Sequence, residues 1–327
     1  MNKKIRWGIV GPGHIAHSFA KDLQLVPDGE LVAVGSRNYD RAKEFGEIYG
    51  AKQCFGSYEE LFNCKEIDVI YIATPHTSHA EHSIAAMDHG IPVLCEKPMG
   101  VNTAEVESII AASERNNVFL MEALWSRFNP TIRKIKEMVA EGEIGEIGHM
   151  YSNFAFYGLD RDEKGRVLNP ELAGGSLLDI GIYPIFLTYL MMGKPKNILA
   201  SSKFHHTGVE IQTSMIFDYP KAQAVLYSGL TSKSSMRVEI GGSTGSIFID
   251  SRWHETQGFT LDRNGETEAF QFPKIGKGYA HEIEEVHECL RKGKKQSDLW
   301  THQNSKDLVG LMDKVRLQTG IVFPFEG

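Results

Sequence analysis

The sequence predicts an α/β protein. Residues 1–122 read as a doubly wound parallel sheet, and residues 123–327 as an α+β domain with a large, open-faced, mostly antiparallel sheet. Three observations carry this. Up to Glu122, short apolar runs rich in β-branched residues alternate with stretches of helical period. Past Ile144, β-rich runs predominate, joined by turns such as Tyr219-Pro220-Lys221 and Arg263-Asn264-Gly265-Glu266. A chain of 327 residues suits two domains, each with its own core.

Composition narrows the class further. A hydrophobic content of 42% and a charged content of 24% are ordinary for a soluble globular protein. The 35 Lys+Arg against 42 Asp+Glu give a formal charge of −7, which argues against nucleic acid or an anionic membrane as the main partner. The four cysteines (Cys54, Cys64, Cys95, Cys289) make no CxxC pair, as expected of reduced thiols in a cytoplasmic protein. The basic start, Lys3-Lys4-Ile5-Arg6, leads to an apolar run broken at Gly11-Pro12-Gly13, too short and glycine-rich for a signal peptide. No later run is expected to span a membrane.

The first strand is Trp7-Gly8-Ile9-Val10. It runs into Gly11-Pro12-Gly13-His14-Ile15-Ala16 and then a helical stretch with Phe19, Ala20 and Leu23 on one face. This is the GxGxxG/A dinucleotide fingerprint between a strand and a helix. Gly11 permits the turn, Gly13 lets backbone approach a pyrophosphate, and Ala16 lets the helix lie close. His14 and Ile15 open the helix whose N–H groups would face the phosphates.

The strand Glu30–Gly35 ends in Ser36-Arg37. An NAD-binding fold carries Asp or Glu near this point for the ribose hydroxyls. A hydroxyl and a guanidinium suit a 2′-phosphate, so NADP(H) is favoured over NAD(H). An ordinary surface arginine, with Asp40 serving the ribose, is the alternative.

Asp68–Ala73 is the next strand, ending at Thr74-Pro75-His76, where proline turns the chain. Ser78 is a candidate cap for a helix ending at Gly90. His76 and His79 lack partners at metal-ligand spacing, so cofactor contact or capping is expected and no metal. The strand Ile91–Leu94 leads into Cys95-Glu96-Lys97-Pro98. A lysine at the carboxyl end of such a strand suits chemistry better than packing, because open α/β sheets bind ligands there. Asn102 and Glu105 cap the next helix, and Val118–Met121 is the last strand of this half.

In the second half, Asn129 and Pro130 open a helix closed by Gly142. Strands are expected at 147–157, 197–207, 209–219, 222–231, 235–241, 245–250, 258–263 and 266–272, with helices near 175–192, 279–292 and 302–317. One face of this sheet should need cover, most simply from a second subunit. Asp179 and Tyr183 share a face of the 175–192 helix. A carboxylate and a phenol on a stripe of Leu, Ile and Phe point to a polar pocket or to a structural hydrogen bond. His205 and His206, read as adjacent in a strand, should point to opposite faces and make no site.

Together, GPGHIA at 11–16, ATPHTSH at 73–79, CEKP at 95–98, EALWSRFNP at 122–130 and GGSLLDIGIYP at 174–184 resemble the glucose–fructose oxidoreductase / inositol dehydrogenase (Gfo/Idh/MocA) family over nearly the whole chain. WxRFxP with DIGxY is most similar to its dimeric dihydrodiol and NADP-dependent sugar dehydrogenase branch. Inositol dehydrogenases carry histidine where Tyr183 stands, which weakens inositol as substrate. The resemblance implies a Rossmann domain, an open-faced sheet domain that pairs in oligomers, and nicotinamide oxidoreduction of a sugar-like hydroxyl or carbonyl. It matches Lys97 and Tyr183 to the family's catalytic pair and Asp179 to its helix partner.

The chemistry is coherent on its own terms. A tyrosine of pKa about 10 is a poor base at neutral pH, and a nearby ammonium lowers that value. Lys97 with Tyr183 would therefore make a tuned proton donor, with Asp179 orienting Lys97 or the substrate. Arg127 and Trp125 are candidates for the nicotinamide end or the substrate wall, and Phe154 and Tyr279 are secondary substrate candidates. A non-catalytic sensor and an NAD-dependent glycosidase of the same fold are the competing classes.

Overall fold

The computed structural model describes residues 3–326. The first apolar run is strand β1 (Ile5–Val10), and α1 (His14–Leu23), β2 (Gly29–Gly35), α2 (Tyr39–Tyr49), β3 (Gln53–Phe55) and α3 (Tyr58–Phe62) follow. Then come β4 (Val69–Ile72), α4 (His79–Asp88), β5 (Val93–Glu96), α5 (Thr103–Asn116) and β6 (Leu120–Ala123). The six strands form one sheet in the order β3-β2-β1-β4-β5-β6, with every pairing parallel. Its strands are near-continuous apolar runs because helices cover both faces; Trp7, Ile9 and Val10 are wholly buried. The strand order reverses between β1 and β4, the switch point beside which such sheets hold ligands.

The later elements are α6 (Pro130–Ala140), β7 (Ile147–Ala155), α7 (Ile182–Met192), β8 (Asn197–Phe204), β9 (Glu210–Asp218), β10 (Gln223–Gly229), β11 (Val238–Gly242), β12 (Ser246–Ile249), β13 (Gly258–Arg263), β14 (Glu266–Gln271), α8 (Tyr279–Arg291) and α9 (His302–Thr319). Strands β7 to β14 make an eight-stranded sheet in the order β14-β13-β12-β11-β7-β10-β9-β8. All its pairings are antiparallel except β7 with β10. Alternation on β9 and β10 sends Met215, Phe217, Ala224 and Leu226 inward on the face that α7 covers.

The opposite face carries an apolar row in register. Leu199 pairs with Ile216, Ile216 with Val225, and Val225 with Tyr151; Glu239 then links Tyr151 to Phe248. Leu199 is 61%, Val225 46% and Tyr151 43% exposed.

The chain divides into two compact units, one of Met1–Phe128 with Lys274–Lys306, the other of Asn129–Pro273 with Asp307–Gly327. The expected boundary after residue 122 therefore moves, and the segment from Lys274 returns to the first unit. The physical reason is side-chain chemistry at both ends of α8. The buried Asp22 carboxylate accepts from the N–H groups of Lys277, Gly278, Tyr279 and Ala280, capping α8. At the far end the Trp7 indole donates to His287 Nε2 at 2.9 Å, and Asp28 receives His287 Nδ1 at 3.0 Å and the Arg291 guanidinium.

Residues Pro170–Met192 are long and apolar enough to cross a membrane by composition alone, but 83% of that window is buried inside the fold, as in a core helix. All four cysteines are free thiols, and burial raises the pKa of Cys95.

Candidate active site

In the first unit the functional side chains gather past the carboxyl ends of β1, β2, β4 and β5. Gly11 has φ +83, and a Cβ there would lie 3.0 Å from Thr74 Cγ2 and 3.3 Å from the Ala73 carbonyl oxygen. A Cβ built on Gly13 would meet nothing nearer than the Ala73 carbonyl oxygen at 4.0 Å. Helix α1 starts at His14 with no side-chain cap and no acid in its first turn. Its N–H groups and positive dipole end thus fit a pyrophosphate. Ala16 is wholly buried, so helix and strand lie close, while His14 is exposed and Ile15 half-buried.

At the end of β2, Ser36 is buried and its Oγ accepts the Asn38 N–H at 3.2 Å. Arg37 is exposed, and its charge acts on the Tyr58 hydroxyl. Burial raises the Tyr58 pKa, while Arg37 and Arg41 oppose that shift, so both guanidinium groups act on this ring. The His82 ring meets Tyr58 edge-on at 4.6 Å, and its Nδ1 lies 3.1 Å from Thr74 Oγ1. Asp40 sits exposed on the first turn of α2. Sequence reasoning missed Arg41, Tyr58 and His82; Arg41, four residues past Arg37, was the one readable signal.

At the end of β4, Pro75 is exposed, and His76 faces the His79 ring edge-on at 5.7 Å. His79 itself is wholly buried, with Nδ1 2.8 Å from the Pro98 carbonyl and Nε2 2.9 Å from the Thr74 carbonyl. It ties the β4 loop to the β5 loop. Burial pushes its pKa down to about 4, against the two carbonyls that favour the imidazolium. The cap expected of Ser78 does not form, since its side chain makes no bond to the α4 N-terminus.

Lys97 follows β5 directly and is half-buried. Its backbone N–H donates to Glu96 Oε2 at 3.1 Å, and the Tyr71 hydroxyl donates to Glu96 Oε1. The peptide from Lys97 to Pro98 is cis. Below it the buried Glu122 accepts the Met99 N–H at 2.9 Å and the Trp300 indole at 3.0 Å. Burial raises the pKa of Glu122, and its hydrogen bonds and Lys97 oppose the rise. Glu122 stands inside a strand of otherwise apolar pattern (Leu120–Ala123), a signal that sequence reasoning passed over.

Farther along, Trp125 stacks on Tyr279 with centroids 5.1 Å apart, a contact within this unit. Arg127 is buried and its Nε donates to the Leu299 carbonyl at 2.8 Å.

The second unit holds the other group. Residues Leu177–Gly181 form a π-turn that continues into α7, placing Asp179 in the turn and Tyr183 at the start of the helix. Such turns recur at functional sites. The Glu210 carboxylate anchors the turn by accepting from Ser176 Oγ, the Leu177 N–H and Thr213 Oγ1. Burial raises the pKa of Glu210, and those three bonds oppose the rise.

Asp179 is buried and pairs with Arg166 at 2.9 Å. Arg166 stands in a loop with no readable period, which is why sequence reasoning missed it. The Tyr183 ring lies among Phe154 at 5.4 Å, His254 at 5.7 Å and Trp253 at 6.4 Å. Phe154 stacks on His254 at 4.4 Å. The phenol thus sits in an aromatic wall, and the carboxylate has one guanidinium beside it.

Comparison with known proteins agrees with both units. Residues 5–124 match the family model described as an oxidoreductase family with an NAD-binding Rossmann fold, and residues 132–248 match the GFO/IDH/MocA C-terminal domain. The chain is 36% identical over 333 residues to the trans-1,2-dihydrobenzene-1,2-diol dehydrogenase of Mus musculus, covering 98% of each. It superposes with TM-score 0.88 and 26% identity on KijD10, a 3-ketoreductase from Actinomadura kijaniata in complex with NADP and TDP-benzene, covering 97% of this chain and 98% of that one. Aldose-aldose oxidoreductase from Caulobacter crescentus, at TM-score 0.89, 22% identity and the same coverage, shares the fold.

Proposed function

The chain belongs to the GFO/IDH/MocA oxidoreductase family, and from that footing we propose that it transfers a hydride between NADP(H) and a hydroxyl or carbonyl carbon of a sugar, sugar derivative or trans-dihydrodiol. The observation that carries the reading is Lys97, set immediately past β5 by Glu96 and with Glu122 beneath it, in the same unit as the Gly11 turn and the uncapped start of α1. A sensor protein would have no need of a lysine set at the ligand edge of the sheet.

NADP(H), when bound, supplies or takes the hydride. The chain's own part is to bind, orient and handle the proton. The turn at Gly11–Ala16 would receive the pyrophosphate, and Ser36 and Arg37, with Arg41 beside them, the 2′-phosphate. Thr74, Pro75, His76 and Arg127 would line the remaining cofactor path, with His79 and Glu96 holding the loops that carry them.

In oxidation, the substrate hydroxyl gives up its proton as the carbon loses hydride; in reduction, the carbonyl oxygen gains one. Lys97 and Tyr183 are the groups proposed to hold that proton, Lys97 favouring the phenolate by its charge. Asp179 orients them or the substrate, and Arg166 fixes the Asp179 carboxylate. Trp125, Tyr279 and Phe154 would wall the substrate.

The branch named by the dihydrodiol dehydrogenase relative and the NADP complex of the ketoreductase both support this substrate class and cofactor. The in-register apolar row from Leu199 to Phe248 supports a homodimer formed through the sheet face. The four free thiols suit a cytoplasmic setting.

Binding assays with NADPH and NADH test the cofactor assignment. Tighter binding of NADPH, with the preference reversed by Arg37→Asp, is expected. Equal affinity for the two cofactors in the parent chain would remove the 2′-phosphate reading.

A further inference from the structure

Strand β8 ends at Phe204, one residue before His205. The two histidines therefore lie in the turn between β8 and β9 and not in a strand, and the expectation of opposite faces fails. The turn is closed by the His205 N–H on the Val209 carbonyl and the Gly208 N–H on the His205 carbonyl. Their rings sit 3.9 Å apart, and His206 Nε2 lies 2.9 Å from Glu163 Oε1, a residue of the loop that follows β7. One ligand atom from each of Glu163, His205 and His206 falls within 4.8 Å of the others.

We propose that Glu163, His205 and His206 form a zinc site on the second unit. Two imidazoles and one carboxylate suit a borderline transition ion such as Zn²⁺ and not Mg²⁺ or Ca²⁺, which take all-oxygen sets. Glu163 and His206 are exposed and His205 half-buried, so water completes a tetrahedral shell.

The consequence reaches the site already described. Arg166, the partner of Asp179, lies three residues beyond Glu163 in the same loop. A zinc ion there fastens that loop to the β8–β9 turn and steadies the Arg166 side of the Asp179 pair.

The test uses the untagged full chain, freed of metal with EDTA, desalted, and titrated with zinc chloride against a chromophoric chelator. One equivalent of zinc should bind. Loss of an outer-shell partner costs about 10–100-fold in metal affinity, so Glu163→Gln and His206→Ala should each weaken binding by at least about tenfold. A Cys54→Ser/Cys64→Ser variant, which removes the two cysteines that are not fully buried, should bind as the parent does. Zinc should also slow tryptic cleavage after Arg161, Lys164 and Arg166 in the parent but not in His206→Ala. Absence of a bound equivalent, or parental affinity in Glu163→Gln and His206→Ala, would overturn the site.

Discussion

His79 holds two loops together at a cost that depends on pH. Both its ring nitrogens face carbonyl oxygens, yet burial holds its pKa down to about 4. The folded value lies below the unfolded reference of about 6.5, so between those limits the unfolded chain binds more protons. Stability should therefore fall as the solution is acidified from pH about 6.5 toward about 4, by up to ~3 kcal/mol from this group. His82, His287 and His302 shift in the same direction, so the difference between parent and His79→Gln isolates the share of His79. Denaturant midpoints at neutral and mildly acidic pH should show a shallower slope in the variant.

Glu282 carries the opposite sign. It is wholly buried, neither carboxyl oxygen has a hydrogen-bond partner among the described residues, and burial with Glu96 and Asp22 nearby raises its pKa well above the usual carboxylate range. A raised folded value means stability that is full below the unfolded value and lost as pH rises through the folded one. Replacing an unpartnered buried acid by a side chain of similar volume should be neutral or stabilising. Glu282→Met is therefore predicted to raise the urea midpoint at pH 8 more than at pH 5. A lowered midpoint at pH 8, or a gain there no larger than at pH 5, would refute this.

Among the elements, the best-read ones were those whose signal lies in local chemistry. Asn129 caps α6 by accepting the Thr131 N–H, and Asn102 caps α5 by accepting the Glu105 N–H. The Lys97 position past β5 was legible because an apolar run simply stops there. Strand β3 was not, since three residues of mixed polarity carry no period. The π-turn at Leu177–Gly181 was read as ordinary helix, because its anchor is Glu210, a tertiary partner 33 residues beyond Leu177. The return of α8 to the first unit was hidden for the same reason, since Asp22 lies more than 250 residues before the backbone it caps.

Those anchors make predictions. Asp22→Ala removes the acceptor of four N–H groups and should cost ~1–2 kcal/mol, read as a lowered denaturation midpoint. Glu210→Ala leaves Ser176, Leu177 and Thr213 without their acceptor in a buried place, and should cost about 1–3 kcal/mol, with Glu210→Gln milder because one carbonyl oxygen remains. A midpoint unchanged in Glu210→Ala would remove Glu210 as the anchor of the π-turn.

Across the whole molecule, sequence patterning was enough for the two sheets and for the uncovered face. Alternation on β9 and β10 required an apolar face toward α7, and the leftover row of Leu199, Ile216, Val225 and Tyr151 is what period-two patterning leaves outside. It did not reveal where the chain divides, because that depends on contacts made by α8. If the row is a dimer surface, Val225→Lys should place a charge at its centre and shift the protein toward monomer in sedimentation velocity. A parent that sediments as a monomer at high concentration would remove the interface.

The measurement that bears hardest on the functional reading is steady-state turnover with NADP(H) on a panel of trans-dihydrodiols and aldoses, followed by NADPH absorbance alongside cofactor binding. The account predicts measurable turnover in the parent chain. Lys97→Ala and Tyr183→Phe should each lose about 10²–10⁴-fold in kcat while still binding NADPH. Parental turnover in either variant, with cofactor bound, would contradict it.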